Sequence, residues 1–145
     1  MARHTATYTV EDEGRDRGKN FLITEMPASR GEAWAYRALL ALIAGGVELP
    51  DGFERMGMAG MAELGIKALA GLRWEVAEPL LAEMWDCIEI IPDPAKPRIF
   101  RALIEDDVEE VMTRGKLRAE VWKLHTGFLK AAALSISGDS PAATA

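Results

Sequence analysis

The chain of 145 residues is 49% hydrophobic and 28% charged, the make-up of one globular domain large enough to build a core without disulfide or metal staples. Its formal net charge of -6 repels phosphate backbones, so nucleic acid is not an expected partner. The single cysteine, Cys87, cannot close an internal disulfide, and the longest apolar stretch, Ala33 to Val47, is interrupted by Arg37 and falls short of the roughly 20 residues a membrane span needs.

The chain opens with Thr5–Val10, β-branched and aromatic, followed by the charged, glycine-containing Glu11–Asn20 and a second β-type run, Phe21–Thr24. This pattern predicts a β-hairpin with a long loop. Met1–Val10 is polar and Thr-rich, without the apolar core of a signal peptide, which favours a cytoplasmic setting. Pro27-Ala28-Ser29 then predicts a helix start, with Ser29 as N-cap and Glu32 as its capping-box partner. That helix runs to Ala44 and stops at Gly45-Gly46; apolar residues cover nearly every side of it, as expected of a central core helix or a binding surface.

Phe53–Leu72 reads as a second helix, rich in methionine (Met56, Met58, Met61) and in glycine. Arg73–Cys87 predicts a third. Pro79 is tolerated in a first turn, which puts its regular part near Ala77, with Leu81, Trp85 and Ile88 on one stripe. Ile88–Ile91 and Arg98–Phe100 read as short strands separated by Pro92, Pro94 and Pro97. Glu105-Asp106-Asp107 place negative charge where a helix N-terminus favours it. The helical pattern breaks at Thr113–Gly115 and resumes through Leu117, Val121, Leu124 and Phe128, and Ser135–Ala145 reads as a disordered tail. The expected architecture is therefore α+β and mostly α: a short N-terminal hairpin, then a compact bundle of four to five helices, in one domain over residues 1–134. The expected core is Trp34, Leu39, Leu42, Leu81, Trp85, Val108, Val121, Leu124 and Phe128.

Charge is segregated. Residues 75–112 are strongly acidic and residues 114–130 mostly basic. This is either a solvated face with favourable helix-end charges or an acidic patch that docks a basic partner.

No catalytic constellation stands out. His4 and His125 are far apart, and Cys87 has no activating neighbour in sequence. One cysteine and two histidines make no zinc pattern. Gly14–Asn20 departs from a phosphate-binding loop in its glycine spacing and in having Asn20 after Lys19, which leaves a charged hairpin loop. No enzyme activity, metal or cofactor is expected.

Two stretches resemble the tail assembly chaperones of long-tailed bacteriophages and prophages. One is Arg15-Asp16-Arg17-Gly18-Lys19-Asn20-Phe21-Leu22-Ile23-Thr24-Glu25-Met26-Pro27-Ala28 with Glu32–Leu39; the other is Leu103–Leu129, including Leu117-Arg118-Ala119-Glu120-Val121-Trp122-Lys123-Leu124-His125-Thr126-Gly127-Phe128. The resemblance implies a mostly helical protein that binds the tape measure protein, keeps it soluble, helps recruit tail tube subunits and leaves before the virion is complete. It would work in the host cytoplasm, away from membranes and nucleic acid, with self-association open. On this reading Met56, Met58, Met61 and Leu64 are the candidate partner-binding residues, because flexible methionines repack readily around varied clients. A structural tail or connector subunit, or a small acidic protein-binding regulator, are the alternatives.

Overall fold

The structure, a computed structural model, describes residues 3–46 and 71–139, with side chains as far as Thr126. Strands β1 (Thr5–Thr9) and β2 (Asn20–Thr24) pair antiparallel, Thr5 opposite Thr24 and Thr9 opposite Asn20. Helix α1 (Ala28–Ala44) and helix α2 (Trp74–Trp85) follow, then β3 (Ile88–Ile91) and the two-residue β4 (Arg101–Ala102). A single turn of 3-10 helix (Glu105–Asp107) leads to the long helix α3 (Val111–Asp139).

The sheet overturns the expected bundle. β3 returns across a long connection to pair with β2, Ile23 opposite Ile88 and Phe21 opposite Ile90, and β4 adds to β3. The result is one four-stranded antiparallel sheet in the order β1-β2-β3-β4, with three helices among the described residues, about 49% helix and 16% strand. Among the described residues the arrangement is a sheet with three helices and not a compact bundle of four to five helices. Two of the bundle's expected members merge into one for a physical reason: the chain at Thr113–Gly115 stays helical, because Gly115 inside α3 costs about 1 kcal/mol, which a 29-residue helix packed on a sheet tolerates. The expected second helix, Phe53–Leu72, lies outside the described residues except at its end.

Alternation explains the packing. In β2, Phe21 and Ile23 point inward and are fully buried, while Asn20, Leu22 and Thr24 are half-buried on the other face. Ile88 and Ile90 of β3 continue the inner face, which is covered by Trp34, Ala35, Ala38 and Leu42 of α1, Leu80 and Met84 of α2, and Leu117, Val121 and Trp122 of α3. Trp34 crosses Trp122 edge-to-face at 5.8 Å and donates its indole N–H to the Leu80 carbonyl at 3.0 Å, tying three helices together.

Several local expectations shift. α1 starts two residues earlier than a Ser29 cap requires: Pro27 is the N-cap residue and no side chain caps it. α2 begins at Trp74, so Pro79 lies inside it and leaves the Glu75 carbonyl without its usual helical donor on an exposed face. The buried face of α2 is Ala77, Leu80 and Met84, one residue out of phase with the expected Leu81–Trp85 stripe. Leu39, Leu81, Trp85 and Leu124 are therefore half-buried, packed against the core, whereas Trp34, Leu42, Val108 and Val121 are within it. Phe128 falls beyond the described side chains. Arg98–Phe100 is not a strand; β4 forms just after it, at Arg101–Ala102. α3 extends to Asp139, taking in Ser135–Asp139 where the sequence places the start of a disordered tail.

Candidate functional site

α1 is amphipathic in an unusual sense, since its outward side is also apolar. With Trp34, Ala35, Ala38 and Leu42 turned into the core, residues spaced four and three apart on the opposite side meet solvent: Tyr36 is 61% exposed, Leu40 64% and Ile43 51%. These side chains form one stripe along the helix. It is flanked by charge, because Arg37 pairs with Glu83 of α2, and Arg30 reaches Asp86 at 3.1 Å and Glu83 at 3.9 Å. Three such residues on one side of a helix make a surface that scattered single residues would not.

A second feature is a polar junction between the β1–β2 loop and the start of α3. Asp16, 1% exposed, accepts hydrogen bonds from the amides of Glu109 (2.9 Å) and Glu110 (2.9 Å), from the Lys19 ammonium (2.9 Å) and from the Thr113 hydroxyl. Burial alone would raise its pKa. The bonds from Glu109, Lys19, Thr113 and Glu110 outweigh burial and hold the carboxyl at about 2. Lys19 also reaches the Asp107 carbonyl at 2.9 Å, and Arg15 pairs with Glu110 at 2.9 Å. Asp107 accepts both guanidinium arms of Arg101, at 2.8 and 2.9 Å, and the Ile104 amide at 2.8 Å. The loop takes this shape through Gly18, whose φ of 88° suits glycine.

Glu105-Asp106-Asp107 do not begin an α-helix; they form a 3-10 turn that ends at an extended Val108, three residues before α3. The carboxylate that serves the α3 N-terminus comes from Asp16, more than ninety residues earlier. The acidic run also disperses. Glu75, Glu83, Asp86, Asp107, Glu109 and Glu110 each stand beside an arginine or lysine, so most of its charge is matched within the chain.

The titratable groups weighed in the sequence have packing roles. His125 accepts the Met26 amide at Nε2 (2.8 Å) and its Nδ1 meets the Val121 carbonyl (2.8 Å), the pattern of a neutral imidazole holding the entry to α1 against α3. Burial pushes the Cys87 thiol up to about 11, which keeps it protonated. Trp85 lies under the guanidinium of Arg114 at 3.9 Å and of Arg118 at 5.0 Å, joining α2 to α3. Among the described residues no group of three or more His, Cys, Asp or Glu is placed to hold a metal ion. A hollow beside the junction, bordered by Asp12, Glu13, Glu110 and Met112, measures about 130 Å³. That is well below the roughly 300–1,000 Å³ of small-molecule sites.

No family model matches the chain, and no curated protein or solved structure matches it significantly. Of the expected partner-binding residues, Met56, Met58, Met61 and Leu64 all lie outside the described residues. The stripe on α1 was half-legible: apolar residues on every side of one helix signalled a surplus over what a core can cover, but not which side stays uncovered. No helix among the described residues is long and apolar enough to cross a membrane.

Proposed function

We propose that this protein is a non-enzymatic tail assembly chaperone that holds an amphipathic helix of the tape measure protein on the outward face of α1, and delivers it to tail tube subunits in the host cytoplasm. The observation that carries the reading is the exposed Tyr36–Leu40–Ile43 stripe. Its spacing of four and three matches the anchor spacing of a helix laid against a helix. The likeness of Arg15–Leu39 and Leu103–Leu129 to the chaperone family supplies the identity of the client.

The magnitudes suit a temporary hold. Covering on the order of 200 Å² of apolar surface contributes about 5 kcal/mol before the ordering cost of association is subtracted. Taken alone that is a weak contact, which would not hold the client against competing tube protein. The flanking Arg37–Glu83 and Arg30–Asp86 pairs keep the rim polar and limit nonspecific association.

The test is co-expression with the tape measure protein of the same tail system. Wild type should keep the client soluble and copurify with it. Tyr36→Asp/Leu40→Asp changes only exposed positions, so the variant should remain folded by circular dichroism while the client aggregates. A folded double variant that still solubilises the client removes α1 as the docking face. A wild-type protein that never rescues the client, or that stays in purified virions, defeats the chaperone reading itself.

A further inference from the structure

The two edges of the sheet are built differently. β4 is two residues long, carries Arg101 and follows a segment with Pro92, Pro94 and Pro97, all devices that discourage further pairing. β1 at the other edge has none of them: Thr5-Ala6-Thr7-Tyr8-Thr9 is five residues long, uncharged and without proline.

The direction of its backbone groups follows from the ladder. His4 and Val10 bond towards the β2 side, the His4 carbonyl accepting from the Glu25 amide at 2.9 Å and the Val10 amide donating to the Lys19 carbonyl at 3.0 Å. Thr24 of β2 instead donates to Cys87, on the β3 side, at 3.0 Å. Even-numbered residues of β1 therefore face β2, and Thr5, Thr7 and Thr9 direct their N–H and C=O groups out of the sheet. Among the described residues no backbone hydrogen bond outside the β1–β2 ladder reaches these three threonines.

We propose that β1 is a self-association edge, which pairs antiparallel with β1 of a second copy about a two-fold axis at Thr7. In that register Thr7 faces its own counterpart and Thr5 faces Thr9, so every outward N–H and C=O of the three threonines finds a partner. The threonine side chains stack across the join, a favourable β-branched pairing. Charge selects this orientation. Arg3 precedes the strand, and Glu11, Asp12 and Glu13 follow it. The antiparallel register sets Arg3 opposite Glu11 of the other copy, twice by symmetry, whereas a parallel arrangement would set like charges side by side. The outcome is a continuous eight-stranded sheet. The inference is independent of the client proposed above.

Sedimentation equilibrium of the full chain between 1 and 100 μM, at low salt, tests it. Wild type should be a dimer at the upper end. Thr7→Pro removes an N–H that β2 does not use, so the monomer keeps its circular dichroism spectrum while dimerisation weakens at least tenfold; Thr7→Val should leave it unchanged. Arg3→Glu should weaken it several-fold, and Arg3→Glu/Glu11→Arg should restore it. If Thr7→Pro proves unfolded, the charge swap decides alone. A wild-type monomer at 100 μM, as expected if the edge serves an extended client instead, overturns the proposal. So does a dimer indifferent to both Thr7→Pro and the charge reversal.

Discussion

Asp16 offers the sharpest test of how the two ends of the chain are held together. Its carboxylate is buried and accepts from two backbone amides, a hydroxyl and an ammonium. Lowering its pKa from the ordinary 3.8 to about 2 corresponds to about 2 kcal/mol of folded-state stabilisation. The folded value lies below the unfolded one, so this contribution is complete above pH 3.8 and is lost as pH falls through 2. Asp16→Asn keeps the shape but removes the charge and should cost about 2 kcal/mol at pH 7. Asp16→Ala leaves both amides without their acceptor and takes from Lys19 one of its partners, and should cost about 3–5 kcal/mol. Urea unfolding followed by tryptophan fluorescence, at pH 7 and again near pH 2, measures both. The gap between wild type and Asp16→Asn should shrink to under about 1 kcal/mol in acid, where wild type becomes protonated too. A gap below about 0.5 kcal/mol at pH 7, or one of equal size at both pH values, would refute the reasoning, because surface substitutions typically stay within that range.

Four further outcomes follow from the geometry. Gly18→Ala should destabilise by about 1–2 kcal/mol in a thermal melt; an added Cβ would meet no atom within 4 Å, so the loss would come from backbone strain at φ 88° alone. Trp85→Ala should cost about 2 kcal/mol, less than a fully buried tryptophan, and Arg114→Ala should remove part of that cost in the double variant, as a double-mutant cycle would reveal. His125→Leu leaves the Met26 amide without its acceptor and should lower stability by about 1–3 kcal/mol in urea, whereas His125→Gln should recover much of it. Cys87, with its thiol raised to about 11, should react with a thiol reagent at pH 8 many times more slowly in the native protein than in urea.

Local patterns in the sequence carried local structure well. Phe21 and Ile23 alternate with Leu22 and Thr24, which identifies both strand and buried face. The end of α1 is written in Gly45-Gly46, where Gly46 takes φ 82°. Long-range partners were not legible. Nothing in Ile88–Ile91 says that it pairs with β2 across all of α1 and α2, since any apolar strand satisfies the same alternation. The phase of α2 was misjudged because Trp85 is the larger side chain, yet its neighbour Met84 takes the core position while Trp85 lies beneath two guanidinium groups. Asp16 stands between two arginines in a run that reads as solvated loop. Its burial depends on backbone amides that no composition signal reveals.

The order of pairing in the sheet also sets a timetable for synthesis. β1 and β2 leave the ribosome early, but a two-stranded hairpin is marginal in water. Its inner partner strand begins at Ile88, and the amides that engage Asp16 belong to Glu109 and Glu110. At about 5–20 residues per second, several seconds separate the hairpin from the strand and turn that complete it. During that interval Phe21 and Ile23 have no covering layer, and both sides of the hairpin are unpaired edges. Nascent chains of this protein on one polysome therefore meet at their stickiest stage. Slowing translation between Thr24 and Ile88 should increase aggregation far more than the same delay placed after Thr113.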